Sequence, residues 1–188
     1  MAEVKILLEG FTNADSVKNG GEERTSPTIT LVQDGNLNIV CDPGVVSDQK
    51  IILEKLNQAG LSPDDIDIVF LTHSHIDHFR NIGMFPKAKT LEYYGIWKEN
   101  TVSDWQEYFS ANIRIIKTPG HSKESLTMLV KNERGIVAIC GDVFWKENFP
   151  VFDEYADNME ELERSRKLVL GLADFVIPGH GNEYKVLK

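Results

Sequence analysis

The chain has 188 residues, 41% of them hydrophobic, which is enough to bury one core without requiring a second domain. Its formal charge is −9, from 29 Asp and Glu against 20 Lys and Arg. That balance disfavours a broad nucleic-acid or anionic-membrane surface, because such binding depends on Lys and Arg neutralising phosphates. Residues 1–9 mix charges with apolar side chains and show no cleavage-type pattern, and no later run reaches membrane-spanning length. The expectation is a soluble, cytoplasmic protein with one domain over residues 1–188.

In chain order, residues 4–9, 28–33 and 37–41 predict three early strands, the last two joined by the turn sequence Asp34-Gly35-Asn36. Residues 13–27, between the first two, are polar and long for a connection, and predict a mobile loop. Residues 47–60 predict a helix covering one sheet face: Ser47 caps the start, Ile52, Leu56 and Ala59 form an apolar stripe, and Gly60 lies just past the end. An apolar run from Ile66 to Leu71 predicts a buried strand. Further strands are predicted at 90–94, 114–118, 125–131, 136–140 and 175–177, with a helix at 157–172. Strand clusters interleaved with a few helices indicate a layered α/β domain. Cys41 and Cys140 each close an apolar run just before an aspartate and read as core rather than as a disulfide.

All five histidines fall in short motifs flanked by Gly, Asp or Pro. The densest, Thr72-His73-Ser74-His75-Ile76-Asp77-His78, follows the 66–71 run directly. His121 stands in Thr118-Pro119-Gly120-His121, Asp142 in Cys140-Gly141-Asp142, and His180 in Pro178-Gly179-His180-Gly181. Each follows an apolar run, and glycine lets the backbone turn sharply there. Zinc binds imidazole and carboxylate, and a catalytic site leaves a position open for water, so His and Asp groups converging from several strand ends read as a metal centre. One such histidine alone would more often be a packed residue; seven ligand types together are not read that way.

Several features have two readings. Asp42, in Asp42-Pro43-Gly44, is either a turn former or a partner standing behind the ligands. The aromatic segment holding Tyr93, Tyr94, Trp97, Trp105 and Tyr108 reads as packing before it reads as a substrate mouth or a base-stacking surface. Ser122, Lys123 and Ser125, just after His121, are candidate contacts to an anionic substrate or simply a polar loop. The run Arg164-Ser165-Arg166-Lys167 reads as a solvated helix face.

The order of these motifs, from Asp42-Pro43-Gly44 to Pro178-Gly179-His180-Gly181, resembles the metallo-β-lactamase superfamily. The resemblance implies a four-layer αβ/βα sandwich holding two zinc ions, with iron or manganese as alternatives. It implies that His73, His75 and His121 hold one ion, that Asp77, His78 and His180 hold the other, and that Asp142 bridges them, with Asp42 and Thr72 behind. Hydrolysis would then use a hydroxide shared by the ions, oriented by Asp77, which also takes up its proton, so Asp77 and Asp142 are the candidate catalytic residues. Within the superfamily, Asn81-Ile82-Gly83-Met84-Phe85-Pro86, Gly141-Asp142-Val143-Phe144, Glu163-Arg164-Ser165-Arg166-Lys167 and Val186-Leu187 resemble a branch of endoribonucleases. That likeness implies cleavage of RNA phosphodiester bonds of the histone pre-messenger type, by a homodimer. The acidic composition points away from RNA. The alternative is a small-molecule ester, thioester or lactone hydrolase, and a third is a metal-binding protein without catalysis.

Overall fold

Alternating side chains along the strands decide how this chain layers. The computed structural model describes residues 1–16 and 21–188, so residues 17–20 of the predicted loop lie outside the described residues. The elements run β1 (Glu3–Leu8), β2 (Phe11–Thr12), β3 (Thr25–Ser26), β4 (Ile29–Asp34), β5 (Leu37–Cys41), α1 (Lys50–Gln58), β6 (Ile68–Phe70), α2 (Ile76–Phe79), β7 (Lys89–Glu92), β8 (Gly95–Lys98) and β9 (Thr101–Ser103). They continue with β10 (Ile113–Lys117), β11 (Leu126–Asn132), β12 (Gly135–Ile139), α3 (Met159–Leu172), β13 (Phe175–Ile177) and β14 (Tyr184–Lys185). One sheet has the order β1-β4-β5-β6-β7-β8-β9 and the other β10-β11-β12-β13-β14; β2 and β3 form a separate pair.

Three apolar clusters fill three interfaces. Val32, Ile39, Cys41 and Phe70 of the first sheet pack on Ile113, Ile115, Met128, Val137 and Ile139 of the second. The opposite face of the first sheet, with Leu31, Val40 and Val69, packs on Ile52 and Leu56 of α1. The opposite face of the second, with Ile116, Leu129 and Ala138, packs on Leu162 and Val169 of α3. Neighbouring residues therefore serve different clusters, as the two-residue period of a strand requires when both faces are covered. The result is the four-layer αβ/βα sandwich. Among the described residues no helix is long and apolar enough to cross a membrane.

The predicted strands are found with ends shifted by one or two residues, and residues 37–41 and 175–177 match without shift. The first helix begins at Lys50 rather than near Ser47, because the Asp48 carboxylate accepts the Lys50 N–H (2.9 Å) and sets the first turn. The polar stretch 13–27 ends in β3, which pairs with β2. The run 164–167 is not a uniformly solvated face. Ser165 and Arg166 share a stripe with Leu162 and Val169 at helical spacing, and all four are buried. Cys41 and Cys140 are free and buried, as core residues.

Candidate metal centre

The site lies where strands of both sheets end. The chain leaves β6 and turns into the motif 73–78, whose last part forms α2, so His73 and His75 precede the helix while Asp77 and His78 ride on it. From the second sheet, His121 follows β10, Asp142 follows β12 and His180 follows β13. Gly141 makes the sharp exit from β12 with φ +51°, and a side chain there would collide with Thr72.

These seven residues fall into two groups, His73 with His75, His121 and Asp142, and Asp77 with His78 and His180. Within each group the ligand-type atoms lie within 4.8 Å of one another. Asp142 stands between the groups: one carboxylate oxygen is 3.3 Å from His78 Nε2 and 3.2 Å from His180 Nε2, and the other is 3.4 Å from His121 Nε2. His73 Nε2, His78 Nε2 and Asp142 Oδ1 are buried without a hydrogen-bond partner of acceptable geometry among the described residues. Buried polar atoms are almost always satisfied. Here the orphaned atoms are lone-pair donors facing one another, which fits a bound cation.

The opposite ring atoms explain how those lone pairs come to face inward. His78 Nδ1 is 2.9 Å from Asp42 Oδ2, and His180 Nδ1 is 2.9 Å from the Ser26 carbonyl. His73 Nδ1 is 3.1 Å from the Thr72 hydroxyl, which itself donates to Asp42 (2.7 Å). In each case an N–H on Nδ1 leaves Nε2 bare for a metal. His75 is turned the other way, with Nδ1 3.0 Å from His121 Nε2. Asp42 has a positive φ of 49° and also accepts the Thr72 N–H (2.8 Å), so it shapes the turn and holds Thr72 and His78 at once.

Burial opposes charge on Asp142, yet His180, His78 and His121 together hold its carboxyl well below the usual range. Burial likewise opposes charge on His78 and His180, but Asp142, joined for His78 by Asp42, outweighs it and raises both above the ordinary histidine value. His73 and His75 are lowered, first by burial and then by the charge of neighbouring histidines. The charges within the cluster thus govern one another's ionisation.

A cavity of about 310 Å³ opens over the cluster, walled by Thr12, Ala14, Glu23, Ile76, Trp145 and Tyr155 together with several of the ligands. A larger hollow of about 710 Å³ near Met1 and Arg134 touches none of the ligands. Ser122 and Ser125 are buried, with their hydroxyls 3.3 Å apart, and neither they nor Lys123 line the cavity over the His/Asp cluster. The aromatic residues 93–108 are also absent from its wall. Trp105 instead bonds the Tyr93 carbonyl (3.0 Å) and packs on the core.

Two side chains that hold residues of the cluster were not foreseen from sequence. Thr25, inside the polar stretch, donates to Asp77 Oδ2 (3.2 Å) and neighbours His180. Asp153, from an acidic connection without a motif, is buried with Oδ2 2.7 Å from His121 Nδ1. The one available signal was a carboxylate placed between the apolar pair Val151-Phe152 and Glu154.

A sequence model of the metallo-beta-lactamase superfamily matches residues 23–118, about half of the chain. Metallo-beta-lactamase domain-containing protein 1 of Xenopus laevis is 30% identical over 98% of this chain and 82% of its own length. The crystal structure of a Thermotoga maritima protein assigned to the metallo-beta-lactamases superposes with a TM-score of 0.77 at 24% identity, covering 98% of this chain and 99% of that one. An N-acyl homoserine lactone hydrolase with product at its catalytic metal centre superposes at 0.69 with 16% identity, covering 95% and 92%. The sandwich and the strand-end histidines thus agree with the sequence likeness, and the chain belongs to the metallo-beta-lactamase superfamily of hydrolases.

Proposed function

We propose that the protein is a dinuclear zinc hydrolase acting on a small ester-type substrate, an ester, thioester or lactone. The cavity carries this reading. Its volume of about 310 Å³ suits a small molecule, and its described lining includes Ile76, Ala14, Trp145 and Tyr155 but neither Lys nor Arg. The added carboxylate of Glu23 disfavours a polyphosphate backbone. The seven ligands would hold two ions, His73, His75 and His121 on one side, Asp77, His78 and His180 on the other, with Asp142 reaching both. Ions bound there supply Lewis acidity: they lower the pKa of water and offset negative charge developing on the substrate oxygen. Asp77, half-buried beside the cavity and steadied by the Thr25 hydroxyl, orients the attacking water and receives its proton. Trp145 and Tyr155, with ring centres 5.8 Å apart, form an apolar wall for the acyl part. The same His and Asp donors accept iron or manganese, and elemental analysis of natively purified protein identifies the ion.

Cleavage of RNA, implied by resemblance to the endoribonuclease branch, is the second reading. It uses the same centre with a different substrate. Metal-loaded protein is assayed on a lactone, a thioester, an aryl ester, a bis-phosphodiester and single-stranded RNA, with His75→Ala as control. Turnover of one of the first three, lost in the variant, supports the small-molecule reading. RNA cleavage that is lost in the variant and falls steeply with salt replaces it with the nuclease. We also place the protein in the cytoplasm as a homodimer; a solution mass equal to one chain rejects the dimer.

A further inference from the structure

Asp153 is buried directly after two exposed residues, Val151 and Phe152, at 83% and 72% exposure. The connection between β12 and α3 leaves two large apolar side chains in solvent while turning a carboxylate inward, the reverse of what transfer energies favour. The inward carboxylate has both oxygens engaged: Oδ2 lies 2.7 Å from His121 Nδ1, and Oδ1 accepts the Tyr155 N–H (2.9 Å). The same segment grips the His121 backbone, because Asp157 N–H donates to the His121 carbonyl (3.2 Å) and Asn158 N–H to that of Gly120 (2.9 Å). Arg166 braces the connection from beneath, donating to the carbonyls of Val143 (3.0 Å) and Val151 (3.4 Å). The first carbonyl belongs to the residue directly after Asp142, and one residue separates the second from Asp153.

This arrangement repeats, on the other ligand group, what Asp42 does for His78: a buried carboxylate holds Nδ1 and leaves Nε2 facing the cluster. We propose that Asp153 is a positioning residue which fixes His121 as the Nδ1–H tautomer and thereby sets the affinity of the His73–His75–His121–Asp142 group far more than that of the Asp77–His78–His180 group, which it reaches only through Asp142. The proposal rests on the reading of the cluster as a metal centre. It does not depend on the substrate.

The test uses full-length wild type, Asp153→Asn and Asp153→Ala, each stripped of metal and compared by circular dichroism. Long-range ¹H–¹⁵N spectra of the imidazoles report tautomers without metal. The wild type shows His121 protonated on Nδ1, and Asp153→Ala changes that ring and, through it, only its partner His75. Zinc is then titrated against a chromophoric chelator. In Asp153→Asn one of two ions weakens by about 10–100-fold while the other stays within about twofold. Equal weakening of both ions in a folded variant, weakening of neither, or a wild-type His121 protonated on Nε2 overturns the proposal. A wild type that takes up no zinc overturns the affinity claim through the metal reading itself, while the tautomer spectrum still decides what Asp153 does to the ring. If Asp153→Ala does not fold, Asp153→Asn, which keeps the side-chain shape, supplies both readouts.

Discussion

At Asp142 the cluster concentrates its demands on one side chain. It is buried, reaches histidines of both groups, and has one oxygen without a hydrogen-bond partner among the described residues. Asp142→Ala is therefore expected to cost more than the about 10–100-fold typical of losing an outer partner, in metal content and in turnover alike, with the fold retained. Full activity in the folded variant rejects the assignment. The histidines make a separate prediction for metal-free protein. His78 and His180 have folded pKa values raised above the unfolded value of about 6.5. The stability they contribute is complete below that pH and is lost as pH rises through the folded values. Urea midpoints of metal-free protein should fall from about pH 6.5 upward, and zinc loading near neutrality should release protons into weakly buffered solution. A flat midpoint with no proton release contradicts this. Much of the candidate site was legible in sequence because the residues that the fold brings together sit in local motifs: the 73–78 cluster announces itself within six residues. Asp153 and Thr25 were not legible, since each meets its partner only through the fold, 32 residues from His121 and 52 from Asp77 respectively.

Among the elements, α3 and the strand exits do the positioning. Leu162 and Val169 are fully buried against the second sheet, while Ser165 bonds the Pro119 carbonyl (2.6 Å) two residues before His121. Leu162→Ala should cost about 2–5 kcal/mol by urea unfolding, from lost burial plus the cavity left behind; a change below about 1 kcal/mol would show that α3 is not packed as described. Gly179 has a different role, since a side chain there would run into the Asp142 carboxylate. Gly179→Ala should displace Asp142 and lower zinc content with little change in secondary structure, read by elemental analysis beside circular dichroism. Strands with one clear buried period were legible from pattern. The hairpin β8–β9 was not, because β9 is exposed at every residue and only aromatic content marked the region. The start of α1 was misplaced because Ser47 and Asp48 offer equivalent chemistry one residue apart, and only the backbone path chooses between them.

Seen whole, the molecule divides unusually cleanly. Every strand of the seven-stranded sheet lies within residues 1–103, and every strand of the five-stranded sheet lies beyond residue 112. His73, His75, Asp77 and His78 come from the first half, and His121, Asp142 and His180 from the second, so both ligand groups draw on both halves. Each ion would bridge the sandwich. Ion binding to the folded state alone contributes about 4 kcal/mol per site at a thousandfold excess over Kd, so a chelator should lower Tm by on the order of 10 °C for a chain of this size. Asp142→Ala should show little further loss on chelation. An equal chelator response in both proteins would place the stabilising ion elsewhere.

That division has a consequence for how the chain could be taken apart. Cut between residues 103 and 113, it would give two pieces, each with one sheet and its own covering helix, and neither with a complete ligand group. The apolar interface between the sheets would supply their attraction, and the divided ligand sets would make a bound metal ion the condition of their union. Such fragments would behave as the two parts of a lock, separable by a chelator and rejoined by the ion.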